Sequence, residues 1–120
     1  MMTCCSFFVA AVTLAQPTAA DSPHDPLRQA AAFLHQGETR QAIRLCTQEL
    51  QIDAQNAAFW HVRGQAYLRE GNAALALSDL ALAVAFAPEN AWHWADRAQA
   101  QSALSRWDAA EADLSRALAL

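Results

Sequence analysis

The sequence predicts an all-α fold assembled from repeated helix pairs, and three observations carry that reading. Hydrophobic residues fill 54% of the 120 positions, enough to build a core in one small domain. Glycine occurs three times and proline four times. A β-sandwich or barrel, with a turn signal roughly every ten residues, needs more turn residues than that. A shared pattern of side chains recurs every 34 residues from starts at Pro23, Ala57 and Ala91, and self-similarity at a fixed period is the signature of a repeat architecture.

The chain opens with a segment unlike the rest, because residues 1–20 hold no Asp, Glu, Lys, Arg or His. Within it, the apolar run from Cys4 to Ala15 is twelve residues long. That is short of the ~20 needed to span a bilayer and suits the core of a secretory signal. Small-x-small cleavage sites end at Ala15 and Ala20; no Lys or Arg precedes the run, so the amino terminus alone supplies positive charge. The expected organisation is a signal peptide over 1–20, a linker over 21–25 and a repeat domain over 26–120. The mature form then has no stable membrane span and is periplasmic or secreted, whereas without a signal the chain is cytoplasmic. Cys4 and Cys5 come too early for a lipoprotein site, and cleavage leaves Cys46 as the one thiol, with no internal disulfide.

Helices are expected at 26–36, 39–52, 57–70, 73–86, 91–103 and 106–119. Asp25-Pro26 supplies an N-cap and an N1 proline to the first, and Asn56 and Asn90 are N-caps for the third and fifth. Gly37 and Gly71 break units one and two in the middle, where a positive φ lets one helix end and the next begin. Unit three has Ser105 there instead, and Ser105-Arg106-Trp107-Asp108 has the S-x-x-D form of a capping box. Small residues at Gly64 and Ala76, or Ala98 and Ala110, let paired backbones approach, with Trp60, Tyr67 and Leu80 filling the space around them. Pro88 ends the fourth helix.

Charge excludes several function classes. The formal net charge is −4, all eight basic residues are arginine, and like charges form no runs. There is neither a basic nucleic-acid footprint nor a polybasic membrane patch. The arginine usage and thirty alanines fit the GC-rich codons of a bacterial genome. His24, His35, His61 and His93 are dispersed without HExxH spacing, and no CxxC, GxSxG or phosphate-cradling glycine loop occurs. Glu111 and Asp113, two apart on a helix, point to different sides and read by default as solvated surface. No catalytic residue, metal site or cofactor is expected, and the chain does not read as an enzyme.

Aligned on the period, Trp60 matches Trp94, Phe33 matches Tyr67, Ala30 matches Gly64 and Ala98, Ala42 matches Ala76 and Ala110, and Cys46 matches Leu80 and Leu114. Ala83 matches Ala117. With Pro88, this pattern resembles the tetratricopeptide repeat family, whose 34-residue helix-turn-helix unit has a W-x2-L-G-x2-Y…A-x3-F…P skeleton. Unit two carries it best, with Arg63 where leucine is usual; unit one diverges most, at Glu49 and Ala54. The resemblance divides the chain into repeats 23–56, 57–90 and 91–120, the last incomplete. It implies an α-solenoid in a right-handed superhelix, and a scaffold whose concave face, made mainly of first helices, binds a peptide or helix of a partner protein.

Within that register, His61, Gln65, Arg69, Trp92, Ala95 and Gln99 line the concave surface, and His61, Gln65, Arg69, Trp92 and Gln99 are the candidate partner-binding residues. Trp92 is the expected aromatic anchor, and Arg69 tilts the ligand towards an acidic group. Trp60, Trp94 and Trp107 are expected to pack. Some chaperone-binding relatives clamp a terminal carboxylate with a Lys/Asn/Asn/Lys/Arg set, but the equivalent positions here hold Leu27, Ala31, Val62, Trp92 and Asp96, so that capture is not expected. Arg63 and Arg97 share one repeat position and Asp79 and Asp113 another, while unit one lacks both, with Gln29 and Leu45 in their places. Joint loss predicts ion pairs, either within units or from Asp79 to Arg97. Unit three ends at Leu120 after apolar residues without a capping turn. A second reading is therefore self-association through that repeat, or the front of a longer array.

Overall fold

A computed structural model describes residues 24–120; the apolar run and its cleavage sites lie outside the described residues. Six helices follow in pairs: α1 (Pro26–His35) with α2 (Thr39–Ile52), α3 (Ala57–Arg69) with α4 (Ala73–Phe86), and α5 (Ala91–Ala103) with α6 (Trp107–Ala119). Each packs on its neighbour in sequence, and the first helices also meet one another, α1 on α3 and α3 on α5. The result is an all-α helical repeat.

Local chemistry sets the boundaries. Asp25 accepts the Arg28 N–H at 3.2 Å, Asn56 that of Ala58 at 3.2 Å and Asn90 that of Trp92 at 3.0 Å, so each first helix has one of its unpaired N–H groups satisfied by a side chain. The three mid-unit turns share one backbone bond. Glu38 N–H donates to the Phe33 carbonyl, Asn72 to Tyr67 and Arg106 to Gln101, at 2.8 to 2.9 Å, as in a Schellman closure. Gly37 and Gly71 adopt φ of +82° and Ser105 one of +60°. The expected Ser105 capping box is not formed. Serine stands in for glycine in the left-handed region, Arg106 becomes the N-cap without a side-chain bond, and α6 begins at Trp107.

The core divides between units. Ala30, Leu34, Ala42, Cys46 and Leu50 meet Phe59, Val62 and Ala66 from the following helix, while Ala76 and Leu80 meet Ala100. Gly64 is required by contact, since a Cβ there would lie 2.7 Å from Leu80 Cγ. The Arg–Asp pairs form within units. Arg63 grips Asp79 through Nε at 2.8 Å and Nη2 at 2.9 Å, and Arg97 grips Asp113 at 2.6 and 2.7 Å. Asp113 is thus buried, at 5% exposure, and not solvated surface; Glu111 is exposed. Each guanidinium also lies 4.9 Å over its own unit's tryptophan ring, Arg63 on Trp60 and Arg97 on Trp94. Those rings are held by indole N–H bonds of 2.7 Å to the carbonyls of Ala54 and Pro88.

Trp107 departs from expectation, being 64% exposed. Its equivalent in unit one, Thr39, bonds Glu70 at the turn of the next unit, and no next unit reaches Trp107 among the described residues. Leu114 is bare for the same reason, at 47% exposure where Cys46 and Leu80 show 0%.

Candidate functional site

Stacking first helices on one another places residues one repeat apart side by side, and α3 and α5 are joined across this face by a polar cluster. Asp96 Oδ2 accepts a bond of 2.8 Å from Gln65 Nε2 and is also bonded to His61 Nε2. The His61 and His93 rings sit 4.7 Å apart. His93 is 3% exposed, with Nδ1 against the Ala83 carbonyl at 3.2 Å. Burial, reinforced by neighbouring His61, pushes its pKa below the ordinary histidine value. On the α1 side, Arg69 Nη1 donates to the Leu34 carbonyl at the carboxy-terminal end of α1, where a cation suits the helix dipole.

A hollow of about 310 Å³ opens beside this cluster, lined by Gln65, Leu68, Arg69, Asp96 and Gln99. Of the five residues named from sequence, Gln65, Arg69 and Gln99 share it, and His61 stands next to it through Asp96. Trp92 does not. Its side chain, 71% exposed, lines a separate apolar hollow of about 330 Å³ with Ala91, Ala95, Leu114, Ala117 and Leu118. Asp96 and Leu68 were missed as lining residues. The available signal was Asp96 itself, a carboxylate at the repeat position where unit two buries Val62 against its neighbour.

Both bonds to Asp96 end on Oδ2, and the residue lines the hollow. Carboxylate, two amides and a guanidinium make a surface that donates and accepts hydrogen bonds, suited to a peptide backbone and polar side chains. Among the described residues, no group of three or more His, Cys, Asp or Glu is placed to hold a metal ion, and no helix is long and apolar enough to cross a membrane. Burial pushes the Cys46 thiol up to about 12, the state of an inert core cysteine.

No family model and no curated protein matches the sequence. Solved structures do match. The second TPR (tetratricopeptide repeat) domain of Spaghetti (RPAP3), bound to the HSP90 peptide SRMEEVD, aligns with a TM-score of 0.76 at 24% identity, over 79% of this chain and 88% of that one. The first TPR domain of human RPAP3 aligns at 0.75 and 29% identity, over 78% and 73%. This chain folds as a tetratricopeptide repeat domain. The Sgt2 TPR domain of Aspergillus fumigatus also shares the fold, with a TM-score of 0.74 at 23% identity over 85% of this chain and 69% of that one. In tetratricopeptide repeat terms, the hollow beside Asp96 lies on the first-helix face and the hollow beside Trp92 at the end of the last pair.

Proposed function

We propose that this protein is an interaction scaffold that holds a peptide or helix of another protein along the first helices of units two and three. The observation that carries the reading is the hollow lined by Gln65, Arg69, Asp96 and Gln99, where the repeat register puts the concave face. One solved neighbour is bound to an acidic HSP90 peptide, which supports peptide binding in general and sets up a contrast in charge. Here Asp96 points a carboxylate into the hollow, while Arg69 is engaged with the Leu34 carbonyl. The ligand group that fits beside Asp96 is therefore a donor, an amide or a basic side chain. Like charge would penalise a carboxylate there.

The test is selection from a displayed peptide library, followed by mapping the bound site through backbone amide shifts. Expected are peptides with a Lys, Arg or amide side chain at a fixed place, shifts centred on Gln65, Asp96 and Gln99, and binding lost in the Gln65→Ala/Gln99→Ala protein. Shifts centred on α2, α4 and α6 would assign the site to the other face. Trp92 contributes to this groove only for a ligand long enough to pass Ala95, so Trp92→Ala costs short peptides little and longer ones on the order of 2 kcal/mol.

A further inference from the structure

We propose that the end face formed by α5 and α6 docks a second copy of this chain, tail to tail about a twofold axis, with each Trp92 entering the other copy's apolar hollow. The repeat provides its own control for this face. Leu50 and Val84 occupy one repeat position and are 7% and 6% exposed, Leu50 clustering with Phe59, Val62 and Ala66 of the helix that follows; Leu118 holds that position in unit three and is 89% exposed. Leu114 is similarly bare, and Trp92 stands beside both. Together they form an apolar concavity with an aromatic side chain at its edge, the composition of a hot spot.

A further repeat is a poor occupant, because half of the face has been made polar. Ile43 and Leu77 pack against the core in units one and two, and Glu111 takes their place in unit three. Leu34 and Leu68 are likewise followed by Ser102. Ile43 and Leu77 are half-buried by the helix that follows them, so a full helix laid across the face in the manner of α3 or α5 would draw the Glu111 carboxylate partly out of water against apolar neighbours. Head-to-tail stacking of copies fails at the other end. The positions equivalent to Phe59, Val62 and Ala66, which cover unit one, are the N-cap Asp25 and, within α1, Arg28 and Ala32. A carboxylate and an arginine would be pressed onto Leu114 and Leu118. Apolar end on apolar end is the arrangement that matches, and like faces meeting like generate a closed twofold dimer rather than a filament. An axis near Trp92 and Leu118 leaves both copies of Glu111 in water. The contact is small, so the dimer is reversible.

Sedimentation velocity on the full chain, over roughly 10 μM to 1 mM, reads the proposal. Expected is a monomer–dimer equilibrium with no larger species. Leu118→Glu and Trp92→Ser should each raise the dissociation constant at least tenfold, while Gln65→Ala/Gln99→Ala in the peptide groove leaves it unchanged. Both side chains are exposed, and an unchanged circular dichroism spectrum checks that the fold persists. Three results overturn the inference: a monomer at every concentration, a ladder of species beyond the dimer, or loss of the dimer on Val12→Asp, which would assign the face to the apolar amino-terminal run.

Discussion

Asp79 and Asp113 carry their charge at 4% and 5% exposure, and such a charge is tolerable only while its bidentate arginine is present. Removing one partner leaves the other buried without compensation, so Asp79→Ala should cost about 3 kcal/mol in a urea unfolding curve. Arg63→Ala/Asp79→Ala should cost clearly less than the two single losses added together. Additive losses would mean the two side chains act independently. The existence of these pairs was legible because unit one has lost both members, but their within-unit geometry was not, since repeat spacing fits a bond to either neighbour. Asp96 was legible in part: a carboxylate at the repeat position of Val62 stood in the sequence, whereas its bonds to Gln65 and His61, one helix away, left no trace in any local pattern. Gly64 makes a second residue-scale test. Gly64→Ala puts a methyl group against fully buried Leu80, and overpacking of this kind costs roughly 1–3 kcal/mol, despite the better helix propensity of alanine.

Every helix was readable from caps, glycines and the 34-residue period, with observed ends within a residue of expectation. The exception in kind is the α5–α6 turn, where serine adopts a left-handed conformation because the closure from Arg106 to Gln101 demands it. A side chain in that region is strained, so Ser105→Gly should stabilise the protein by about 1 kcal/mol, read as a raised denaturant midpoint. The α4–α5 contact predicts a pH effect. His93 is buried against the Ala83 carbonyl, with His61 and Asp96 as its ionisable neighbours, and its pKa lies below the ordinary value of 6.5. The unfolded chain therefore takes up a proton at a pH where the folded chain does not. The stability contributed by neutral His93 is fully present above about pH 6.5 and is lost as the pH falls from there towards the depressed folded value. Unfolding midpoints should fall on the acid side of neutrality, and His93→Phe, which copies Phe59 of unit two, should flatten that slope. An unaltered slope would locate the proton uptake elsewhere.

At the scale of the whole molecule, export is a proposal that one measurement decides. Protein recovered from its cell should begin after Ala15 or Ala20, and an intact Met1 in a cytoplasmic fraction would place the mature chain inside the cell. The repeat domain behaves as a short one-dimensional array in which each pair is stabilised by its neighbours. Unit two is covered on both sides: α3 packs against unit one through Phe59, Val62 and Ala66, and Leu80 and Ala83 are sealed at 0% exposure beneath unit three. Among the described residues, unit three has one neighbour, and Leu114 and Leu118 on its outer face are exposed. Opening α6 therefore exposes little buried apolar surface, whereas opening unit two breaks both inter-unit contacts, through α3 to unit one and through α4 to unit three. Hydrogen exchange at low concentration, where self-association is minimal, should show strongest protection in α3 and α4 and weakest in α6. Cys46 gives an independent reading from unit one. Its buried thiol reacts only when that unit opens, so its labelling rate should fall between those two extremes of exchange. Protection equal in all six helices, with Cys46 labelling at the global unfolding rate, would show that three pairs fold as one indivisible cooperative unit and not as a stack.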